Sequence, residues 1–522
     1  GERGAAIDAA AGLSSAAKCL ALTNLAGLLS AQGQHAGAEA LHRRALDLTV
    51  EQFGPEHLQT AASTCQLGGL LVKARRYDEA RALYESARAA REKALGGRHL
   101  DVAATLHALA LLLSDQGDHE AALPLHQQCL EIEEEVLGAG AAHPRVAASL
   151  GALALALKSA GKPHAAEGYY RRSLMALERL HGPHHLRVAA ALNNLAELLR
   201  GLEKYEEAAP LFVRALALFE KHFGGDHPNV ATALNNLAVL HRAQGQYDKA
   251  EPLYRRALHI REKALGPEHP ALATTLTNLA VLLEKQGNLA EAEPLQRRAL
   301  AVREAAHGPN HADVAGSLNN LAVVLKQQGR VEEAAELYAR ALATFEALHG
   351  THHPAVAGAL NNLAGVRRDQ GLVEEALPLY QRSLEIREQT LGADHPDVVA
   401  SLNNLHALLA ELGRAEECVP LLRRQLAALE AGGGGTARLK MAAALSNLGR
   451  VFQELGQGAE ALAVYKKALA LLEKKSGGED PEVQATREAV TALLLQQEQG
   501  EEAERLLKRW ISVDRKLYCE QH

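Results

Sequence analysis

Aromatic residues make up only 3% of this 522-residue chain, tryptophan occurs once and methionine twice. A hydrophobic share of 47% must therefore pack as alanine, leucine and valine, a composition that suits closely approaching helices rather than aromatic clusters. The five cysteines (Cys19, Cys65, Cys129, Cys418, Cys519) are scattered with no Cys-x-x-Cys pair, which excludes a disulfide framework and the usual zinc spacing. They are expected to be buried thiols in a reducing compartment, with Cys129 and Cys418 standing at alanine positions of the pattern described below. The net charge is −7 with both signs interspersed, so there is no basic excess of the kind that binds nucleic acid or a membrane surface. No apolar run approaches the 18 or so residues of a membrane span. The opening GERGAAIDAAAG lacks both an initiating methionine and the order of a signal peptide.

Catalytic signatures are missing as well. There is no Gly-x-x-x-x-Gly-Lys phosphate loop and no Gly-x-Ser-x-Gly elbow. His119-Glu120 begins a zinc-protease motif, but Leu123 stands where its second histidine is needed. No enzyme is expected.

What the chain does contain is a repeat. The central leucine of LNNLA and its variants recurs at Leu195, Leu237, Leu279, Leu321, Leu363 and Leu405, in steps of 42 residues. A fixed period of 20 to 50 residues marks a solenoid. The unit from Asn229 to Leu265 shows its construction. Leu234, Leu237, Ala238 and His241 fall at helical spacing, and Tyr247, Ala250, Leu253, Tyr254, Ala257 and Leu258 do so again after a Gln-Gly-Gln break. Two antiparallel amphipathic helices are predicted. Gly245 closes the first in the left-handed conformation, Asp248 caps the second, Pro252 is tolerated near its start, and Pro228 and Pro270 open the following A-helices.

Residues 1–12 read as a lead-in. Ten hairpins anchored at Leu25, Leu67, Leu109, Leu153, Leu195, Leu237, Leu279, Leu321, Leu363 and Leu405 occupy 13–436, and two more fill 437–522. The second unit has Arg75 where its turn glycine belongs, and the segment Gly138 to His143 carries a two-residue insertion. The glycine run Gly432 to Gly435 is a candidate hinge, with a neutral inter-repeat loop the favoured reading. The polar last unit, which holds Trp510, is expected to cap the exposed end of the core.

The sequence L-x-x-L-A, then Gly, an aromatic, Ala and A-L resembles the tetratricopeptide repeat, lengthened from its usual 34 residues. With LNNLA, EPLYRRAL and LGPEHP it looks like the repeats of the kinesin light chain and of nephrocystin-type ciliary and bacterial relatives, over almost the whole chain. The resemblance implies an all-α right-handed superhelix of about twelve helix pairs, with a concave groove that binds peptides.

His57, His99, His143, His185, His227, His269, His311, His353 and His395 recur once per unit. Stacked helices lie roughly 8–10 Å apart, too far for histidines of successive units to share an ion held at about 2.0–2.1 Å. They are expected to cap or pack at the inter-repeat loops, and no metal or cofactor is expected. The second asparagine of each pair, at Asn194, Asn236, Asn278, Asn320, Asn362 and Asn404, points away from its helix's apolar stripe, toward the groove of such arrays. A neutral amide suits the alternating donors and acceptors of an extended peptide; the alternative is that these amides only fix repeat stacking. Six residues on stand Arg200, Arg242, Glu284, Lys326, Arg368 and Ala410. Four of these six are basic, which favours an acidic ligand.

In the kinesin light chain, groove asparagines and arginines at these positions hold acidic, tryptophan-containing peptides. The resemblance carries that role most directly to Asn194, Asn236, Asn278, Asn320, Arg200 and Arg242. No long heptad segment is present, so attachment to a motor heavy chain is not carried over. The expected function is that of a cytoplasmic adaptor or scaffold, of cytoskeletal or ciliary location, that binds protein partners through extended segments, microtubule-motor or ciliary proteins among the candidates, with no nucleic acid and no membrane insertion. The alternatives are a structural part of a microtubule or ciliary assembly, and the sensor array of a larger signalling protein.

Overall fold

The computed structural model describes residues 15–138, 140, 142–432, 435–473 and 480–521; the lead-in, 1–12, lies outside them. Among the described residues there are 24 α-helices and no strand, and the chain divides into two compact units, Gly1–Gly266 and Pro267–His522. The first unit holds α1 (Ser15–Ala31), α2 (His35–Phe53), α3 (Leu58–Lys73), α4 (Tyr77–Leu95), α5 (Leu100–Asp115), α6 (His119–Leu137), α7 (Pro144–Ser159), α8 (Pro163–His181), α9 (Leu186–Gly201), α10 (Tyr205–Phe223), α11 (Pro228–Ala243) and α12 (Tyr247–Leu265). The second holds α13 (Leu272–Lys285), α14 (Leu289–His307), α15 (Ala312–Gln327), α16 (Val331–His349), α17 (Pro354–Asp369), α18 (Val373–Leu391), α19 (Pro396–Glu411), α20 (Ala415–Gly432), α21 (Gly435–Glu454), α22 (Gly458–Leu472), α23 (Pro481–Gln496) and α24 (Gly500–Gln521). Odd-numbered helices are the A-helices of hairpins and even-numbered ones the B-helices.

The hairpin α11–α12 shows why the sequence folds this way. Leu234, Leu237, Ala238 and Leu240 are buried on α11, as are Ala250, Tyr254, Ala257, Leu258 and Ile260 on α12. Ala238, Ala250 and Ala257 have no exposed surface, because a larger side chain at these crossings would hold the helices apart. Gly245 takes φ +73°, and the next amide, Gln246 N–H, reaches back to the His241 carbonyl at 2.9 Å. Arg75, in the glycine place of the second hairpin, is forced to φ +59°, and so are Glu203 at +59° and Glu498 at +57°.

Three local expectations change. Asp248 lies in the first turn of α12, and the cap position belongs to Gln246, whose side chain makes no capping bond. Pro270 stands in the turn before α13, which begins at Leu272. The last hairpin is not a wholly polar cap: Trp510 is buried beneath the Arg487 guanidinium, 5.2 Å from its ring, but Leu495, Leu507 and Ile511 remain exposed. At the glycine run, α20 ends on Gly432 and α21 starts on Gly435; residues 433–434, on which the hinge expectation rests, lie outside the described residues. Cys129 and Cys418 are buried thiols, and Cys19 and Cys65 are half-buried and free.

Within each unit the two sides of the stack are held differently. Cα atoms of successive A-helices come within 8 Å in the pairs α3 and α5, α9 and α11, and α13 and α15. Successive B-helices are instead bridged by long arms, as in Arg171–Glu207 at 2.6 Å, Arg256–Glu220 at 2.7 Å and Arg382–Glu346 at 2.6 Å. Ion pairs span both sides, and the closer approach of the A-helices places them on the inner side of each unit's stack.

Candidate interaction face

The inner face is built from the polar flank of each A-helix. In LNNLA the leucines and the alanine turn into the hairpin, leaving the two asparagines and the residues one turn on to meet the neighbouring A-helix. Of the expected amides, Asn194 is exposed and Asn236, Asn278, Asn320, Asn362 and Asn404 are half-buried. Asn236 Nδ2 donates to Asn193 Oδ1 at 3.0 Å, and Asn404 Nδ2 donates to Asn361 Oδ1 at 2.9 Å. The second asparagine of one repeat thus bonds the first asparagine of the repeat before it. Each amide so used keeps its carbonyl oxygen and one N–H for other partners. Both weighed roles, stacking and presentation, are compatible with that geometry.

The basic row divides in two. Lys326 pairs with Asp369 at 2.8 Å, and Arg368 pairs with Glu411 at 2.6 Å and donates its Nε to the same carboxylate at 3.0 Å. Glu284, the acidic member of the row, accepts from Gln327 at 2.8 Å. Each contact joins a residue to one 43 positions later on the next A-helix. In the first unit Ala243 occupies the place of Asp369 and Glu411, and Arg200 and Arg242 have no carboxylate partner among the described residues. The Arg242 Nε atom is buried without an acceptor, beside the Tyr254 hydroxyl, whose pKa burial raises to about 12 against the pull of Arg242. Sequence reasoning missed this division, although Asp369 and Glu411 are legible as the residues 43 beyond Lys326 and Arg368.

Behind the A-helices, each B-helix sends one large side chain toward the inner face. Tyr84, Tyr170, Phe212, Tyr254, Tyr338 and Tyr380 fill this place and are buried. His126 takes it in the third hairpin, edge-on to His107 at 5.6 Å between ring centres, and burial lowers its pKa to about 4. Gln296 takes it in the seventh, with no exposed surface and with both amide atoms unpartnered among the described residues.

The histidine ladder consists of turn acceptors, eight of the nine being N-caps. Nδ1 of His57, His99, His143, His185, His227, His269, His311, His353 and His395 accepts the backbone N–H two residues on, at 3.1 to 3.2 Å. In all but His269 the ring thus serves as an N-cap acceptor and satisfies one donor of the first turn; the Ala271 N–H that His269 accepts lies just before α13, which begins at Leu272. Burial, and the nearby charges of His181 and Arg187, hold His185 below its ordinary pKa.

Stacked helical hairpins with a polar inner face define a repeat scaffold of the kind that mediates protein–protein interactions. The family model described as tetratricopeptide repeat matches residues 18–92, 61–135, 145–221, 187–263, 229–305, 272–347, 313–364, 355–431 and 440–516, so the chain belongs to the tetratricopeptide repeat family. Among solved structures it is similar to a Podosopora anserina kinesin light chain protein with nearly identical TPR-like repeats, at 25% identity and a TM-score of 0.36 over 40% of this chain and 97% of that one. It is also similar to BtubC (BKLC) from P. vanneervenii, at 26% identity and a TM-score of 0.39 over 45% of this chain and 92% of that one. No curated protein matches the chain. No helix among the described residues is long and apolar enough to cross a membrane.

Proposed function

We propose that the chain is a non-catalytic adaptor whose inner face binds an extended, acidic segment of a partner protein, centred on Arg200 and Arg242. The observation that carries this reading is their lack of a carboxylate partner where Lys326 and Arg368 have one. An arginine with unspent donors at a half-buried position is suited to a carboxylate from outside the chain. Asn194 and Asn236, on the same two helices, would hold the backbone of the bound segment, with Asn278, Asn320, Asn362 and Asn404 extending the track. Consecutive A-helices lie about 8–10 Å apart, and an extended chain rises about 3.3 Å per residue. The favoured ligand therefore carries acidic residues two or three positions apart. The likeness to kinesin light chain repeats agrees with an adaptor role. A structural role resting on Arg255 and Arg256 has less support, because both are engaged by Glu251 and Glu220.

The test is a peptide array of extended 12-residue segments varying only in acidic content, probed with the wild-type chain and with Arg200→Glu, Arg242→Glu and Asn236→Leu. A charge-assisted hydrogen bond contributes about 1.5–3 kcal/mol, so each arginine reversal should weaken the acidic peptides roughly tenfold or more while helicity and melting stay near wild type. Equal binding of acidic and neutral peptides by wild type and variants would overturn the proposal.

A further inference from the structure

The junction between α14 and α15 brings together three donors that nothing in the interaction face uses. His307 is the last residue of α14, His311 caps α15, and Asp313 lies in the first turn of α15. The two imidazoles stack with centres 4.3 Å apart and planes 17° from parallel. Asp313 Oδ2 lies 3.6 Å from His311 Nδ1 and 4.0 Å from His307 Nε2, and one donor atom from each residue falls within 4.8 Å of the other two.

The stack alone is packing, since Phe53–His57 and Phe223–His227 make it at the same place in other repeats. What distinguishes this junction is the carboxylate. His181–His185 stack likewise, but Arg187 stands at the Asp313 position; His349–His353 stack, but Ala355 stands there. His99 and His395 have Asp101 and Asp397 beside them but Leu95 and Leu391 in the place of His307. Among the described residues this is the one group of three or more such donors placed closely enough to hold an ion.

We propose that His307, His311 and Asp313 bind one divalent transition-metal ion of the zinc class. Two imidazole nitrogens and a carboxylate suit zinc, cobalt or nickel and not the hard oxygen-seeking cations. Ligand bonds of about 2.0–2.2 Å at tetrahedral angles set ligand atoms about 3.4 Å apart; because imidazole lone pairs lie in the ring planes, the two rings must turn out of their stack to converge on one ion, which these partly exposed side chains leave room for. Water completes the coordination. The His311 Nδ1 atom, which accepts the Asp313 N–H at 3.2 Å, would exchange that hydrogen bond for a bond to the metal. The ion then ties the end of one hairpin to the start of the next.

The experiment is isothermal titration of the full chain with zinc chloride, repeated with cobalt(II) while its visible absorption is followed. The expected result is one saturable site per chain with a tetrahedral cobalt spectrum, weakened at least tenfold in His307→Ala and in Asp313→Asn and unchanged in His181→Ala and His349→Ala. Both ligand variants sit at exposed positions, and circular dichroism checks that they remain helical. A wild-type chain that takes up no zinc, or a site whose affinity and cobalt spectrum survive Asp313→Asn, overturns the assignment.

Discussion

Replacing Gln296 by leucine should stabilise the second unit. Gln296 has no exposed surface, and neither its Nε2 nor its Oε1 finds a partner among the described residues. A buried polar group without a hydrogen bond costs about 1–3 kcal/mol. The corresponding place in the tenth hairpin is filled by Leu422, also fully buried, so the site accepts a side chain of this size and shape. Removing the amide without opening a cavity should therefore gain about 2 kcal/mol. Because repeat arrays need not unfold in one step, a bulk melting curve can blur a local gain. The suitable assay is native-state amide exchange followed along α13, α14 and α15, where slower exchange relative to the first unit reports the change. The reverse substitution, Tyr254→Gln, should speed exchange in α11 and α12. Unchanged or faster exchange around Gln296→Leu would refute the reasoning and mean that buried water satisfies the amide.

Three further outcomes are expected. His227→Ala should cost about 1 kcal/mol of stability in the α11 region, whereas His227→Asn, which keeps an acceptor at the cap, should cost little; amide exchange of α11 separates them. Glu203→Gly should stabilise by up to about 1 kcal/mol, since it releases a left-handed residue at φ +59° while giving back some unfolded-chain entropy; thermal melts that fall instead of rising would contradict this. Acid should weaken the fold. Burial lowers the pKa values of His42, His107 and His406 and brings His126 to about 4, so the unfolded chain takes up protons first as pH falls below about 6.5. The stability held by the neutral rings is present above that pH and is lost on the way to about 4, with His126 alone contributing about 3 kcal/mol over the interval. Melts recorded across this range should show a shallower fall for His126→Phe, for which Phe212 is the natural precedent.

The fold was legible because its signals repeat. A 42-residue period, apolar residues at helical spacing, turn glycines and His-Pro starts all recur, and each agrees with the same hairpin. The histidine caps were likewise readable, since geometry forbade the metal ladder and left a local role. What escaped was pairing between repeats. Asn193 with Asn236, and Lys326 with Asp369, are neighbours only once one A-helix is laid against the next, with an offset one residue longer than the period. That extra residue decides which cations are spent inside the stack. Glu203 escaped for a different reason: Gly201 lies two positions away and disguises the missing turn glycine. The exposed apolar residues of the last hairpin escaped because its overall polarity concealed which face carries Leu507 and Ile511.

The unequal fastening of the two sides makes each unit a spring whose outer rail, bridged by ion pairs without close helix approach, is the more salt-sensitive. The B-helix ion pairs are solvent-accessible and contribute at most about 1 kcal/mol each, and electrolyte screens them over about 8 Å at physiological strength. The A-helices carry ion pairs of their own, Lys158–Glu197, Lys326–Asp369 and Arg368–Glu411, but are also held by direct close approach, which such screening leaves in place. Raising ionic strength should therefore lengthen the outer rail while the inner one holds, tightening the bend within a unit. Energy transfer between dyes placed on α4 and α10 would register that motion as a distance increasing with salt, and a distance that stays constant would mean that the rail carries no tension.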